Sequence, residues 1–490
     1  MQSLTDLLAL SSVDASVEGD MAVQIHSITS DSRMVSAGAL FAAITGVQQD
    51  GVAFIDDAIQ KGASAIMLQR KIEKDNPQQN TFVRVDHVRH ALARMAAAFY
   101  GAQPKHLVAV TGTNGKTSIA EFYRQLWMLE GKLSASIGTL GLRSNDAERD
   151  AQYPANNTSP DPVMLSQMLA DLAQGGVQHV ALEASSHGLD QYRLDGVKIE
   201  AAAYSNISRD HLDYHASMDE YFAAKTRLFT QLEWSGNVAV INADDAHAES
   251  LMALCITHGR EVRSYGHAGT YLRLLEVTPT AQGLHVSLEM AGQPWQGTIP
   301  LFGAFQVYNV AAALSLAVAS GMSVDHTLAH IPRLQGVRGR MECVAHHPDG
   351  APVFVDYAHT PDALQNVLQS LRAHTAGKLH VVFGCGGNRD AGKRPLMGDV
   401  AAQYADVVIV TDDNPRKEEA AAIRAAIMAT VPQATEIGNR THAIRHAITK
   451  LAAGDVLVVA GKGHETYQII GEKSEHFDDA EQIREAIAAL

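Results

Sequence analysis

Apolar residues along the chain fall into short runs separated by longer stretches with helical spacing, the pattern of parallel strands covered by helices. Residues 39–44 read as a strand closed by Thr45-Gly46, residues 54–61 as a helix and 65–68 as a second strand. Residues 88–100 are Ala-rich and apolar at helical intervals, so they predict a helix. Gly101 and Pro104 then lead into a buried strand at 107–110, and residues 177–183 and 237–242 read as further strands. Beyond Gly336-Val337-Arg338-Gly339-Arg340, which reads as a linker and a hinge for domain closure, a second alternation begins. Its apolar runs are 353–356, 380–383, 407–410 and 456–460.

The fold expected is α/β, in three domains. A small N-terminal α/β domain covers 1–88, a central doubly wound domain covers 89–336, and a C-terminal Rossmann-like domain covers 337–490. A length of 490 residues agrees, at roughly 150 residues per domain. In open sheets of this kind ligands sit at the carboxyl ends of the strands, so Asp356, Asp412 and Lys462 are expected to face one crevice.

Composition changes the picture mainly by exclusion. With 54 acidic and 39 basic residues the net charge is −15, which repels nucleic acid and anionic membranes but leaves local basic clusters free to take a small anion. Cys255, Cys343 and Cys385 are far apart and form no CxxC pair. Neither a disulfide framework nor a zinc knuckle is expected, and a reducing cytoplasm is. The N-terminus carries Asp6, Asp14, Glu18 and Asp20 and lacks the basic start of a signal peptide. No apolar run approaches the roughly 20 residues needed for membrane insertion.

The chemistry is concentrated in a few motifs. Thr111-Gly112-Thr113-Asn114-Gly115-Lys116-Thr117-Ser118 follows a strand and opens a helix, the setting of a phosphate loop. Glycines let backbone N–H groups approach phosphate, Lys116 reaches the outer phosphates, and the Thr117 hydroxyl suits Mg2+. The strict Walker pattern fails because its first glycine falls at Val110, and a plain glycine turn capping a helix is the alternative. Glu183 ends a strand and can either hold Mg2+ opposite such a loop or cap the helix that follows. His211 and His215 have the spacing of a zinc helix, but no second acidic motif accompanies them, so zinc is not expected. Lys225, taken alone, reads as a lysine on a solvated helix face.

These pieces resemble the Mur ligase superfamily, which also contains the folylpolyglutamate synthases. The resemblance rests on the glycine loop, Glu183-Ala184-Ser185-Ser186-His187-Gly188, residues 206–214, Gly303-Ala304-Phe305-Gln306-Val307-Tyr308-Asn309, Gly339-Arg340-Met341-Glu342 and Asp356-Tyr357-Ala358-His359-Thr360-Pro361. The motifs run in order nearly end to end. The resemblance implies a UDP-substrate domain, a central ATPase and a C-terminal amino-acid domain. It implies ATP contacts from residues 112–118, Asn309, Arg340 and Asp356. It also implies Mg2+ held by Thr117, Glu183, His211 and a carbamylated Lys225, with Lys116, Lys225 and His211 in catalysis.

Within the superfamily, Asp413-Asn414-Pro415-Arg416 and Gly461-Lys462-Gly463-His464-Glu465 resemble the diaminopimelate-adding members. That implies UDP-MurNAc-L-Ala-D-Glu and meso-diaminopimelate as substrates of a cytoplasmic monomer working through an acyl phosphate. Ser30, Ser32, Asn157, Thr158, Ser159, Ser185, Gln191 and Arg193 match contacts to the UDP substrate. Arg389, Asp413, Asn414, Pro415, Arg416, Gly461 and Glu465 match contacts to the amino acid. Ser159 stands where a second Thr is usual, and Val47-Gln48-Gln49 where a His-Gln pair is common. Arg416 suits the distal carboxylate that separates diaminopimelate from lysine, unless it forms a structural salt bridge. A folylpolyglutamate synthase is the near alternative and a nucleotide-dependent switch the distant one. The N-terminal domain and the two C-terminal motifs weigh against both.

Overall fold

The computed structural model describes residues 1–46, 50–71, 80–155, 157–211, 214–280 and 282–490. The Val47-Gln48-Gln49 segment lies outside them. The chain forms two compact units. One comprises Met1–Arg273 and Asn309–Thr327, the other Leu274–Tyr308 and Leu328–Leu490.

The first unit holds two sheets. The N-terminal sheet has the order Ser16–Glu18, Thr81–Val85, Ala65–Gln69, Ala39–Ala42, Ser27–Thr29, and all its pairs are parallel except the first. Strict alternation divides its side chains between two cores. Leu40, Ala42, Met67 and Val83 join one, and Ala39, Phe41, Ile66 and Phe82 join the other. The helix Val88–Tyr100 appears where its periodicity predicts. Its buried face (Val88, Ala91, Leu92, Met95) belongs to the first of these cores, although the sequence reading opens the central domain with it.

The larger sheet is parallel from Ser134–Gly138 through His179–Glu183, His106–Thr111, Lys198–Tyr204 and Glu233–Asn242 to Glu261–Gly266. Gly141–Arg143 adds an antiparallel edge. After His106–Thr111 the chain builds three strands on one side, then crosses to the other at Lys198–Tyr204. The phosphate-loop strand is thus the topological switch point, where α/β sheets bind ligands. Its register sets Glu183 beside Val110 and Tyr204 beside Thr111.

In the second unit the sheet order is Glu342–His346, Pro352–Asp356, Val456–Ala460, Leu379–Phe383, Val407–Val410, Thr435–Glu436, parallel after the first pair. Phe354, Val381 and Val458 face one core, and Val353, Val382 and Val459 face the other. Helices therefore cover both faces, as the unbroken apolar runs required. Residues 336–340, read as a linker, belong to this unit. Gly339 donates its N–H to Glu342 and its carbonyl accepts from Tyr357 N–H. Its φ is +64°, and a Cβ there would strike the backbone at Gly463 and His464. The hairpin Gly283–Met290 with Gln293–Ile299 was not anticipated, because its strands mix buried and exposed positions without a long apolar run.

Candidate active site

The phosphate loop leaves its strand at Thr111 and enters the helix Lys116–Leu129. Both glycines are needed. Gly112 has φ +147°, and a Cβ would overlap the Ser205 hydroxyl; Gly115 has φ +88°, and a Cβ would overlap the Asn309 amide. Gly115 caps the helix with no side chain, which leaves the first-turn N–H groups for an anion. Ser205 Oγ donates to the Asn114 carbonyl at 2.5 Å, and Asn114 N–H donates to Asn206 Oδ1 at 3.1 Å. The loop is thereby tethered to the end of the neighbouring strand. Ser118 is buried in the first helical turn.

Two lysines converge on this loop. Lys116 Nζ donates to the carbonyls of Gly112 and Thr113, both at 2.9 Å. Lys225, on the helix Met218–Thr230, donates to the same Gly112 carbonyl at 2.8 Å. The lysine that reads as solvated from sequence is 1% exposed and lies 4.3 Å from the centre of the Tyr221 ring. Burial, then the nearby Lys116 ammonium, push its pKa well below the ordinary lysine value, against a smaller opposing effect of Asp210. Tyr221 in turn shares a hydrogen bond with Thr113 Oγ1 at 3.0 Å, and burial pushes its phenol up to about 12.

Opposite the lysines is a nest of oxygen atoms. Thr117 Oγ1 donates to Glu183 Oε2 at 3.1 Å. Thr139 donates to the same carboxylate through its N–H (2.8 Å) and its hydroxyl (3.1 Å). Glu183 therefore sits at the loop and not on the following helix, which is capped by Ser185. Hard oxygen donors of this kind fit Mg2+, which takes few protein ligands and completes its shell with water and phosphate. Among the described residues no group of three or more His, Cys, Asp and Glu side chains could hold a metal. His211 has φ +53° and packs its ring 4.9 Å from His187 and 5.9 Å from Tyr221. Its chain neighbours Leu212 and Asp213 lie outside the described residues.

The residues matched to the UDP substrate form a connected strip beside Glu183. Thr158 Oγ1 is 3.1 Å from Thr139 Oγ1, and Ser159 Oγ donates to the Glu183 carbonyl at 2.8 Å. Ser185 N–H donates to Ser159 Oγ at 2.9 Å. Arg193 donates to the Ser159 carbonyl (2.7 Å) and to Gln191 Oε1 (2.8 Å). Asn157 lines a cleft with Gly138, Gly141 and Pro160. The buried Ser159 hydroxyl performs these links, so its departure from Thr removes only a methyl. Ser30 lies in the bend after Ser27–Thr29 and Ser32 opens the short helix Ser32–Met34, the two flanking Asp31. There the Arg33 guanidinium holds the Asp31 carboxyl down at about 2. Thr139 and Gly138 were missed. The signal was a Gly-Thr pair after an apolar strand, repeating the start of the phosphate loop.

The second unit collects the amino-acid motif. Asn414 Nδ2 donates to Glu465 Oε2 at 2.9 Å. A Cβ on Gly461 would meet Asp413 Oδ2, so the glycine lets the two loops close up. Arg416 is half-buried with φ +54° and donates to the Gly387 carbonyl at 3.0 Å. It reaches the Asn414 carbonyl at 3.5 Å and forms no carboxylate salt bridge among the described residues. Pro415 is buried and its carbonyl abuts Gly387, while Arg389 is exposed nearby. Burial first, then Asp413, raise the Glu465 carboxyl above its usual range. Arg340 lies 4.6 Å over the Tyr357 ring. Asp356 accepts N–H bonds from Met341 (2.7 Å) and Ala358 (2.8 Å), and burial raises its pKa.

The expected crevice needs one correction. Asp412 pairs with Arg424 beside Glu436 and turns away from Lys462. Asp413 takes its place, because successive residues leaving a strand point to opposite sides. Arg440, fully buried with its partner Asp479, donates to the carbonyl of Ala460 at 3.0 Å and reaches that of Asp412 at 3.4 Å.

Comparison with known proteins agrees with this geometry. Three family models match: "Mur ligase family, catalytic domain" at residues 24–100, "Mur ligase middle domain" at 110–317 and "Mur ligase, glutamate ligase domain" at 339–463. A UDP-N-acetylmuramoyl-L-alanyl-D-glutamate--2,6-diaminopimelate ligase from Agrobacterium fabrum is 47% identical over 96% of this chain and 94% of its own length. The ligase of the same name from Caulobacter vibrioides is 49% identical over 95% and 96%. A solved structure of a ligase with that name superposes with a TM-score of 0.74 at 34% identity, covering 100% of this chain and 99% of that one. A folylpolyglutamate synthase from Mycobacterium tuberculosis shares the fold at a TM-score of 0.60 and 20% identity, over 76% of this chain and 92% of its own. With relatives this similar across almost its whole length, the chain belongs to the Mur ligase family.

Proposed function

We propose that the protein is an ATP-dependent amide ligase that joins meso-diaminopimelate to the D-Glu γ-carboxylate of UDP-MurNAc-L-Ala-D-Glu, releasing ADP and phosphate. The observation that carries this reading is that Asn414 links Arg416 and Glu465, bonding the Glu465 carboxylate at 2.9 Å while its backbone carbonyl lies 3.5 Å from the Arg416 guanidinium, in a chain whose relatives are named for that reaction. A guanidinium fork and a carboxylate suit the carboxylate and ammonium of an amino-acid centre, and lysine lacks the second such centre.

A carboxylate is a poor acyl electrophile because oxide is a poor leaving group. Attack of a γ-carboxylate oxygen on the terminal phosphorus of ATP makes an acyl phosphate, and ADP departs. The amine of diaminopimelate then adds to the acyl carbon, and phosphate leaves with that oxygen. The first step brings anions together, so this chain's contribution is positioning and charge neutralisation. Lys116 would release its loop carbonyls to hold the outer phosphates, and the first-turn N–H groups would cradle the rest. Thr117 and Glu183 would hold Mg2+, which when bound offsets the triphosphate charge. Ser159, Ser185, Gln191 and Arg193 would orient the muramyl dipeptide.

Lys225 fits carbamylation because its amine is driven toward the neutral, nucleophilic form. Addition of the neutral amine to CO2 with loss of one proton gives a buried carbamate anion that would suit a second Mg2+, with His211 shaping the same region. No helix among the described residues is long and apolar enough to cross a membrane. A cytoplasmic monomer is the state proposed, with no nucleic-acid partner.

The test offers diaminopimelate, lysine and ornithine in competition with ATP and the UDP-muramyl dipeptide, and weighs the products by mass spectrometry. A diaminopimelate adduct in large excess is expected. ATP hydrolysis that needs no amino acid would overturn the reading in favour of a nucleotide switch.

A further inference from the structure

Lys462 has no part in the mechanism described above, yet its side chain is 0% exposed. Burying an ammonium is costly unless its hydrogen bonds are made, and an apolar residue would fill the space more cheaply. Its Nζ donates to Asn414 Oδ1 at 3.0 Å and to the Tyr467 carbonyl at 2.7 Å, and lies 4.0 Å from Glu465 Oε2.

Asn414 Oδ1 also accepts from Ile469 N–H at 3.0 Å. With both donors on the oxygen, the amide nitrogen must face Glu465, where it donates at 2.9 Å. A flipped amide would turn N–H groups toward an ammonium and an N–H donor, and its oxygen toward a carboxylate. The same lysine grips the strand Tyr467–Ile470 by its first carbonyl. Arg416 pairs with that strand: its N–H donates to the Ile469 carbonyl at 3.0 Å and its carbonyl accepts from Gly471 N–H at 2.7 Å. Gln468 closes the set by donating to the Asp413 carbonyl at 2.6 Å.

We infer that Lys462 is a positioning residue for the incoming diamino acid, fixing the polarity of the Asn414 amide and the seat of Arg416. It acts through Asn414, Glu465 and Arg416, so this inference rests on the proposed reading of that pocket. Loss of the ammonium leaves the Tyr467 carbonyl and half of the Asn414 oxygen unsatisfied, in a pocket that must present a donor, an anion and a fork at fixed spacing.

The test compares steady-state KM values for all three substrates in the wild-type chain, Lys462→Met and Lys462→Gln, with melting curves on each. Lys462→Met is expected to raise KM for diaminopimelate about 10- to 100-fold, the effect of an unmade charged hydrogen bond. KM for ATP and for the muramyl dipeptide should move less than about 3-fold. Lys462→Gln keeps one donor and should fall between; if the Met variant fails to fold, the Gln variant decides by the same comparison. In Lys462→Met/Asn414→Ala, KM for diaminopimelate should match that of Asn414→Ala alone. Equal rises in all three KM values, no rise at all, or effects that multiply in the double variant would each overturn the inference. A wild-type chain that forms no diaminopimelate product would instead overturn the substrate reading, and that result appears before any variant is compared.

Discussion

Replacing Arg416 with Ala separates recognition from folding. The side chain donates to the Gly387 carbonyl at 3.0 Å and reaches the Asn414 carbonyl at 3.5 Å, in a half-buried setting. Such a bond contributes about 1 kcal/mol to stability. The left-handed backbone, φ +54°, costs Ala and Arg alike and cancels in the comparison. Folding should therefore survive, with a melting shift of no more than a few degrees. Binding should not. A fork paired with a carboxylate in a partly dry pocket is worth about 2 to 4 kcal/mol, or about 30- to 700-fold in kcat/KM. The loss should fall on diaminopimelate and spare lysine, because lysine has no distal carboxylate to lose. The assay is kcat/KM for each amino acid at saturating ATP and muramyl dipeptide. Equal losses for the two amino acids would refute the reasoning.

Other expectations follow from the same geometry. Lys225→Ala should lower kcat by at least about 100-fold and recover in part with added short carboxylic acids, whereas a variant that rescue cannot restore would argue against an anion at this position. Gly115→Ala, with φ +88° and Asn309 in the way, should raise KM for ATP while leaving KM for diaminopimelate unchanged. Because burial raises the Glu465 pKa, its anion is lost early as the pH falls; KM for diaminopimelate should climb in weak acid, and Glu465→Gln should abolish that dependence. His179 stacks 3.5 Å from Trp127, and burial lowers its pKa from 6.5 to about 3. Between those values the unfolded chain binds the extra proton, so stability should fall with falling pH by up to about 1.4 kcal/mol per unit, and His179→Phe should flatten that slope in urea titrations.

Much of the fold was legible because buried parallel strands are apolar on both faces. The runs at 107–110, 353–356, 407–410 and 456–460 could hardly be anything else, and helix 88–100 carries its own periodicity. The hairpin Gly283–Met290 with Gln293–Ile299 was not, since its exposed face breaks the run. At the site the glycine loop announced itself by residue type. Lys225 did not: sequence cannot say which face of Met218–Thr230 lies against Gly112, and only the resemblance singled it out. Asp412 and Asp413 show the same limit, since a shift of one residue at a strand end decides which carboxylate meets the pocket. Lys462 is legible as the polar residue after a buried strand, but its bonds to Asn414 and Tyr467 depend on the strand Tyr467–Ile470, which leaves little trace in the sequence.

The acyl phosphate is the step on which the whole mechanism turns, and an isotope follows it directly. The muramyl dipeptide is prepared with heavy oxygen in the D-Glu γ-carboxylate and turned over with ATP and diaminopimelate, and the released phosphate is weighed. Phosphate carrying one heavy oxygen from the carboxylate is the expected result. Phosphate free of the label, with amide product formed at the normal rate, would contradict it.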